Sequence, residues 1–269
     1  MRQSEELAKN IRVNTLNMTK NGKSSHIGAI FSCVDIIAVL YANILKYRAN
    51  ETQWYFRDRF ILSKGHAGAG VYAALAEVGF FKKEILLSHY LNGSKLSGHV
   101  SHVGVPGVEM STGSLGHGLS VGAGMALAQK IDCIKSRVFV LMGDGECNEG
   151  SVWEAALFSS HFCLSNLVVI IDRNRLQSLD DTENTIALEP FADKWKAFNW
   201  DVLEINGHNH QEIENALSVS SKKEKPLVII ANTTKGKGVS FMENSVLWHY
   251  RSPQGEEYIA AMKELQKEK

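Results

Sequence analysis

One aspartate stands between two glycines, Gly143-Asp144-Gly145, directly after the apolar run RVFVLM at residues 137–142. A run of that kind suits a buried parallel strand. The triplet then puts a carboxylate at the strand's carboxyl end, flanked by residues without side chains. Exposed backbone N–H groups in such a turn can meet phosphate oxygens. Asn174 lies just past the next apolar run, LVVIID at 167–172. Neighbouring parallel strands end on one edge, so Asp144 and Asn174 are expected to converge there. A carboxylate oxygen and an amide oxygen are hard ligands. With a backbone carbonyl and two diphosphate oxygens they nearly complete an octahedral Mg2+ shell. A lone GDG is a common turn; the order strand, GDG, helix, strand, Asn is what carries the reading.

Histidine is the second chemical signal. The chain has ten, several of them beside glycine, in a total of 269 residues. Imidazole titrates near neutrality, hydrogen-bonds hydroxyl groups and moves protons. A lone histidine beside glycine is more often a loop or core residue than a catalyst, and His89, His102, His161, His208 and His210 are read that way. Lys235 and Lys237 are read as exposed loop charges, and Cys147 as a small packing residue.

These residues need a scaffold. Helices are expected over the first third, with Leu7, Ile11 and Met18 on one face, then over 34–45, 66–78 and 84–91. A His- and Gly-rich loop follows at 93–113, and a small-residue helix at 115–130 with Gly116, Gly118, Gly122 and Gly124. Glycine costs about 1 kcal/mol against alanine inside a helix, so this one must approach something closely. We read these glycines as allowing tight packing and also clearing room for a ligand. Strands are expected at 137–142, 167–172, 201–206 and 226–233, with helices at 149–162 and 211–220 between them and a surface helix at 256–269. Residues 221–225 read as a solvated loop. The alternation implies an α/β fold, a parallel β-sheet flanked by helices on both faces, with ligands outside the strands' carboxyl ends. We expect a single domain over 1–269, a helical part at 1–130 packed with a βαβ core at 137–240.

Bulk properties exclude other classes. Lys+Arg and Asp+Glu are 29 each, so nonspecific nucleic-acid binding, which needs a basic field, is not expected. The longest strongly apolar run, 167–171, is too short for a bilayer, and the polar start MRQSEELAKN is not a secretory signal. Four dispersed cysteines form no CxxC pair, which suggests neither zinc nor disulfides. A cytoplasmic protein without a membrane segment is expected.

The strand–GDG–helix–strand–Asn pattern resembles the thiamine-diphosphate motif of transketolases, 2-oxoacid dehydrogenases and related decarboxylases. The segments SSHIGA, LSKGHAG, SGHVSH, PGVEMSTGSLGHG, GDGECNEGSVWEA and TTKGKG, followed by His249, narrow this to transketolase. They cover nearly the whole chain, in that family's order. The resemblance is to the N-terminal, pyrophosphate-binding section alone. It therefore implies a partner chain carrying the pyrimidine-binding and C-terminal domains, in an α2β2 assembly.

What the resemblance implies can be set out by residue. Asp144, Asn174 and the backbone oxygen of Leu176 match metal ligands for Mg2+, or Ca2+ or Mn2+. His66, Gly113, Ser114, Leu115, Gly143, Gly145 and His249 match cofactor contacts. His26, His66, His99 and His249 match histidines around the reactive carbon and the sugar. Glu149 and Glu154 match glutamates at a subunit interface, where Trp153 could also pack. The implied reaction moves a two-carbon ketol unit from a ketose or its phosphate to an aldose. The glutamate that activates the cofactor's aminopyrimidine belongs to the missing domain, so the chain alone is expected to be inactive. Departures are Ile27 where many members have proline, His117 in place of glutamine, Asp172-Arg173 before Asn174, and the length of the 99–113 loop. Two other readings stay open: another thiamine-diphosphate enzyme, either 2-oxoacid dehydrogenase or deoxyxylulose-phosphate-synthase-like, and a non-catalytic regulatory subunit.

Overall fold

The computed structural model describes residues 2–219 and 224–267. Helices α1 (Gln3–Gly22) and α2 (Ile27–Val39) lead to strand β1 (Arg59–Leu62) and helix α3 (Gly68–Glu77). Next come α4 (His117–Ile131), β2 (Val138–Gly143), α5 (Gly150–His161) and β3 (Leu167–Arg173). Two short helices, α6 (Thr182–Ile186) and α7 (Phe191–Ala197), precede β4 (Asp201–Asn206), α8 (His210–Ser218), β5 (Leu227–Asn232) and α9 (Gly255–Gln266). The strands form one parallel sheet in the order β1-β2-β3-β5-β4.

Side chains alternate across a strand, so each strand feeds two cores. On one face Phe139, Leu141, Val168, Ile170, Leu227 and Ile229 pack with α1, α2, α3 and α8. On the other, Val138, Val140, Met142, Val169, Ile171 and Val228 pack with α4, α5 and α7. The expected parallel α/β sheet with helices on both faces is therefore what forms. Helix α2 is buried along its whole length. The window 27–44 is long and apolar enough to cross a membrane, with mean hydropathy 2.0, yet 83% of it is buried inside the protein. It is a core helix, and its apolar stretch is longer than the run at 167–171 that stands out in the sequence.

Several boundaries differ from expectation. Strand β1 lies where no strand was expected, since RFIL is only four residues long. The segment at 84–91 forms a 3-10 turn over Lys83–Ser88 rather than an α-helix. Residues 220–223, part of the expected helix end and solvated loop, lie outside the described residues, as do 268–269.

The glycines of α4 divide by face. A Cβ at Gly118 would lie 2.5 Å from the Cβ and 2.9 Å from the Cα of Ser63, and one at Gly122 2.5 Å from Val140 Cγ2. These two let α4 sit directly on β1 and β2. At exposed Gly124 a Cβ would meet nothing within 4 Å. Gly118→Ala should therefore cost about 1–3 kcal/mol through overpacking. Gly124→Ala should stabilise by about 0.4–1 kcal/mol. Urea unfolding of the two variants checks this, and equal effects would contradict the packing account.

Candidate active site

The carboxyl ends of β1, β2, β3 and β5 surround one cavity of about 250 Å³. The parallel register sets Gly143 beside Asp172 and Arg173 beside Asn232. Asp144 and Asn174, each just beyond its strand, both reach the cavity wall. Asp144 Oδ1 accepts from Gly145 N at 2.8 Å, and Oδ2 from Arg175 N at 2.6 Å. Arg175 donates from a left-handed conformation, φ 64°, uncommon for a residue with a side chain. Asn174 Oδ1 accepts from Leu176 N at 3.0 Å, which turns the Leu176 region toward the same wall.

Of the residues singled out in the sequence, His26, His66, His99, Gly113, Leu115, Gly143, Asp144, Gly145, Asn174, Leu176 and His249 line this cavity. Ser114 does not; it is exposed beside it. The glycines Gly116, Gly118, Gly122 and Gly124 are also absent from the lining; the first three serve close packing, and Gly124 faces open space.

Four histidines from distant segments meet here. The His26 ring centroid is 5.2 Å from His66, 5.6 Å from His99 and 4.9 Å from His249. His26 caps α2 at φ 74°, and its N–H donates to the His249 carbonyl at 2.8 Å. That bond ties the helix start to the 3-10 turn Val246–His249. His26 Nδ1 is buried without a hydrogen-bond partner among the described residues.

Sequence reasoning missed the cationic half of the site. Lys64, 1% exposed, follows β1 and pairs with Asp172 while donating to the Ala29 carbonyl at 2.9 Å. Burial opposes its charge, but the Asp172 carboxylate more than offsets this and raises its pKa. Lys235 is not an exposed loop charge: it is 1% exposed and lines the cavity. Its ammonium donates to the carbonyls of Leu176 at 3.1 Å and Gln177 at 2.8 Å, and to His249 Nδ1 at 2.9 Å. An ammonium can only donate, so His249 accepts at Nδ1 and keeps its proton on Nε2. Burial, with the like charge of Lys64, brings Lys235 down to about 8. The available signal was β1: once RFIL is taken as a strand, Lys64 falls at a strand's carboxyl end, as Asp144 does.

None of the remaining histidines lines the cavity. His102 and His161 are exposed. His89 is buried against Ser24 Oγ at 3.0 Å. His208 and His210 meet the buried carboxylate of Asp35. Cys147 is buried beneath the Asp144 turn, and Trp153 packs against Trp195 and Phe198 of its own chain.

Charge sets an acid limit. Burial, then His99, Lys235 and Lys64, holds His26 at about 4. Burial, then Lys235, His26 and Lys64, holds His249 at about 3. Burial holds His89 at about 4, and burial with Lys64 holds His66 well below the ordinary value. Each ring is a weaker base folded than unfolded. Below about pH 6.5 the unfolded chain takes up protons that the fold refuses. Stability should be fully present above that pH and fall progressively toward about pH 3. Denaturant midpoints measured across this window check the sign; a flat profile would contradict it.

Comparison with known proteins agrees in extent. The family model described as "Transketolase, thiamine diphosphate binding domain" matches residues 3–266. The chain is 44% identical to an apulose-4-phosphate transketolase subunit of Phocaeicola vulgatus, over 94% of this chain and 90% of that one. It is 40% identical to the 6-deoxy-6-sulfo-D-fructose transketolase subunit SqwG of Clostridium sp., over 90% and 89% of the two chains. Among solved structures, transketolase from Campylobacter jejuni superposes with a TM-score of 0.90 at 32% identity, covering 98% of this chain. This chain spans 43% of that longer protein.

Proposed function

Because the chain belongs to the transketolase family, through that family's thiamine-diphosphate-binding domain, we propose that it is the cofactor-anchoring subunit of a two-chain transketolase. Its partner supplies the pyrimidine-binding and C-terminal domains, in an α2β2 assembly in the cytoplasm. The assembly moves a two-carbon ketol unit from a ketose or ketose phosphate to an aldose. The sugars in the two relatives' names carry a phosphate and a sulfo group, which favours a donor with an anionic terminus. The whole chain acts as one anchoring domain. The observation that carries this reading is the meeting of four histidines with Asp144 and Asn174 in one cavity.

The cavity suits a diphosphate and a divalent cation. A Cβ at Gly143 would meet nothing within 4 Å, so there is open space at the strand end. Two ammonium groups, Lys64 and Lys235, suit an anion. Among the described residues no group of three His, Cys, Asp or Glu could hold a metal. A cation here would draw on Asp144, Asn174 and the Leu176 carbonyl, with diphosphate oxygens completing its shell. This donor set is all oxygen, which suits Mg2+, or Ca2+ or Mn2+.

Thiamine diphosphate, when bound, supplies a nucleophilic carbon and an electron sink for cleavage beside a carbonyl. The chain's own residues bind and orient. His66, Gly113, Ser114, Leu115, Gly143, Gly145 and His249 are the proposed cofactor contacts. His26, His66, His99 and His249 are the proposed catalytic set. The rings of His26, His66 and His249, kept neutral near pH 7, can both accept from and donate to sugar hydroxyls, and His249 holds its proton on Nε2.

Purifying the chain alone and with its partner, then assaying ketol transfer with added thiamine diphosphate and Mg2+, tests the reading. Activity is expected only with both chains. Ketol transfer by this chain alone would overturn the two-chain assignment. Turnover of 2-oxoacids and not ketoses by the pair would overturn the transketolase one.

A further inference from the structure

A second buried polar cluster lies behind the cavity, centred on Asp35 of α2. Asp35 is 5% exposed and accepts from four donor atoms on three residues. Arg12 of α1 donates in fork geometry, Nη1 to Oδ1 at 2.9 Å and Nη2 to Oδ2 at 2.7 Å. His208 Nδ1 meets Oδ2 at 2.7 Å, and His210 Nε2 meets Oδ1 at 3.2 Å. So many donors on one buried carboxylate need a reason, because burying charge is costly even when it is paired.

The outer atoms of the cluster supply it. His208 Nε2 accepts from Thr234 N at 2.8 Å, which leaves the ring proton on Nδ1, facing Asp35. Arg12 Nε donates to the Lys237 carbonyl at 3.1 Å. Two of the three partners of Asp35 thus grip both ends of the turn Thr234-Lys235-Gly236-Lys237. Between the grips, Gly236 N donates to the Gly28 carbonyl at 2.9 Å. Lys235 is the residue this turn delivers to the cavity, where its ammonium holds the Leu176 and Gln177 carbonyls and His249 Nδ1.

We propose that Asp35, Arg12 and His208 are positioning residues that fix the 234–237 turn and thereby the Lys235 ammonium. None of the three lines the cavity. The inference rests on the reading of that cavity as the cofactor site. It gives the buried charges a task that packing alone does not: a carboxylate with saturated oxygens cannot shift without moving both grips. Outer residues that orient ligands commonly change affinity by about 10–100-fold when replaced.

The link can be cut at one atom. His208→Asn keeps an amide donor near the Nδ1 position for Asp35 but does not reach Thr234. Calorimetric titration of the chain with its partner, using thiamine diphosphate and Mg2+, should show affinity weakened by about tenfold. His208→Gln, which carries a polar atom at the Nε2 position, should recover most of the loss. The deciding measurement is the cycle with Lys235→Met. In that background His208→Asn should add less than about twofold, since distant independent effects would instead add in full. Equal losses in both backgrounds, or no loss in a folded His208→Asn chain, overturn the proposal. Should His208→Asn not fold, Arg12→Lys, which lacks the Nε donor to Lys237, enters the same cycle with the same criterion. If the unsubstituted chain binds no thiamine diphosphate even with its partner present, the functional reading fails and this one with it.

Discussion

Asp144→Asn is expected to weaken binding of thiamine diphosphate with Mg2+ by about a hundredfold or more, or about 2.7 kcal/mol, while the chain stays folded. Asp144→Ala is expected to abolish ketol transfer. The size of the effect follows from charge. Asp144 is the one carboxylate in the proposed ligand set, and an amide oxygen in its place contributes a dipole and no net charge. Retention of the fold follows from its neighbours. Arg173, which meets Asp144 at 3.3 Å, also meets Glu189 at 2.9 Å, Glu183 at 3.2 Å and Thr182 Oγ1 at 2.8 Å. Its guanidinium is therefore not stranded when the aspartate charge goes. The asparagine oxygen can still accept from one of the backbone N–H groups at Gly145 and Arg175. Calorimetry on the chain with its partner, with circular dichroism as the control for folding, reads both halves. Undiminished binding by folded Asp144→Asn would sink the assignment of this carboxylate to the metal.

What was legible in the sequence was whatever repeats at short range. Apolar runs of five residues marked β2, β3 and β5, and parallel order then brought Asp144 and Asn174 to one edge. The four histidines were found only because the segments around them resemble a family; no periodicity joins His26 to His249. What stayed hidden were pairings across the sheet. Lys64 follows a four-residue strand with too few positions to show a pattern. Asp172 stood out only as an unusual residue before Asn174, although it closes four contacts from four segments. Lys235 lies in a polar stretch that composition assigns to solvent, and only the grips on its turn direct it inward. Long-range ion pairs leave no mark on local sequence, so the cationic wall of the site was the part not read.

Asp172→Ala is expected to be the most destabilising of these substitutions, costing about 3–5 kcal/mol and lowering the melting temperature by roughly 6–20 °C. Asp172 is fully buried. Its Oδ2 takes Lys64, Ser32 Oγ at 2.5 Å and Asn174 Nδ2 at 3.2 Å, and its Oδ1 takes Thr233 Oγ1 at 2.5 Å. Burial opposes its charge, yet Lys64 and the hydroxyl donors hold its carboxyl below the ordinary value. Alanine would leave the Lys64 ammonium buried with only the Ala29 carbonyl as a hydrogen-bond partner among the described residues. An unpaired buried charge costs more than the absence of the whole pair. The double variant Lys64→Met/Asp172→Ala should therefore unfold at a higher temperature than Asp172→Ala, even though it removes both charges. A double variant no more stable than Asp172→Ala would contradict the ion-pair account and leave the hydroxyl network as the source of stability. Cofactor binding should move the other way. Lys64 lines the cavity, so the double variant regains stability without regaining affinity. Such a divergence would place the ion pair in both tasks at once, holding three strand ends together and presenting a cation to the ligand.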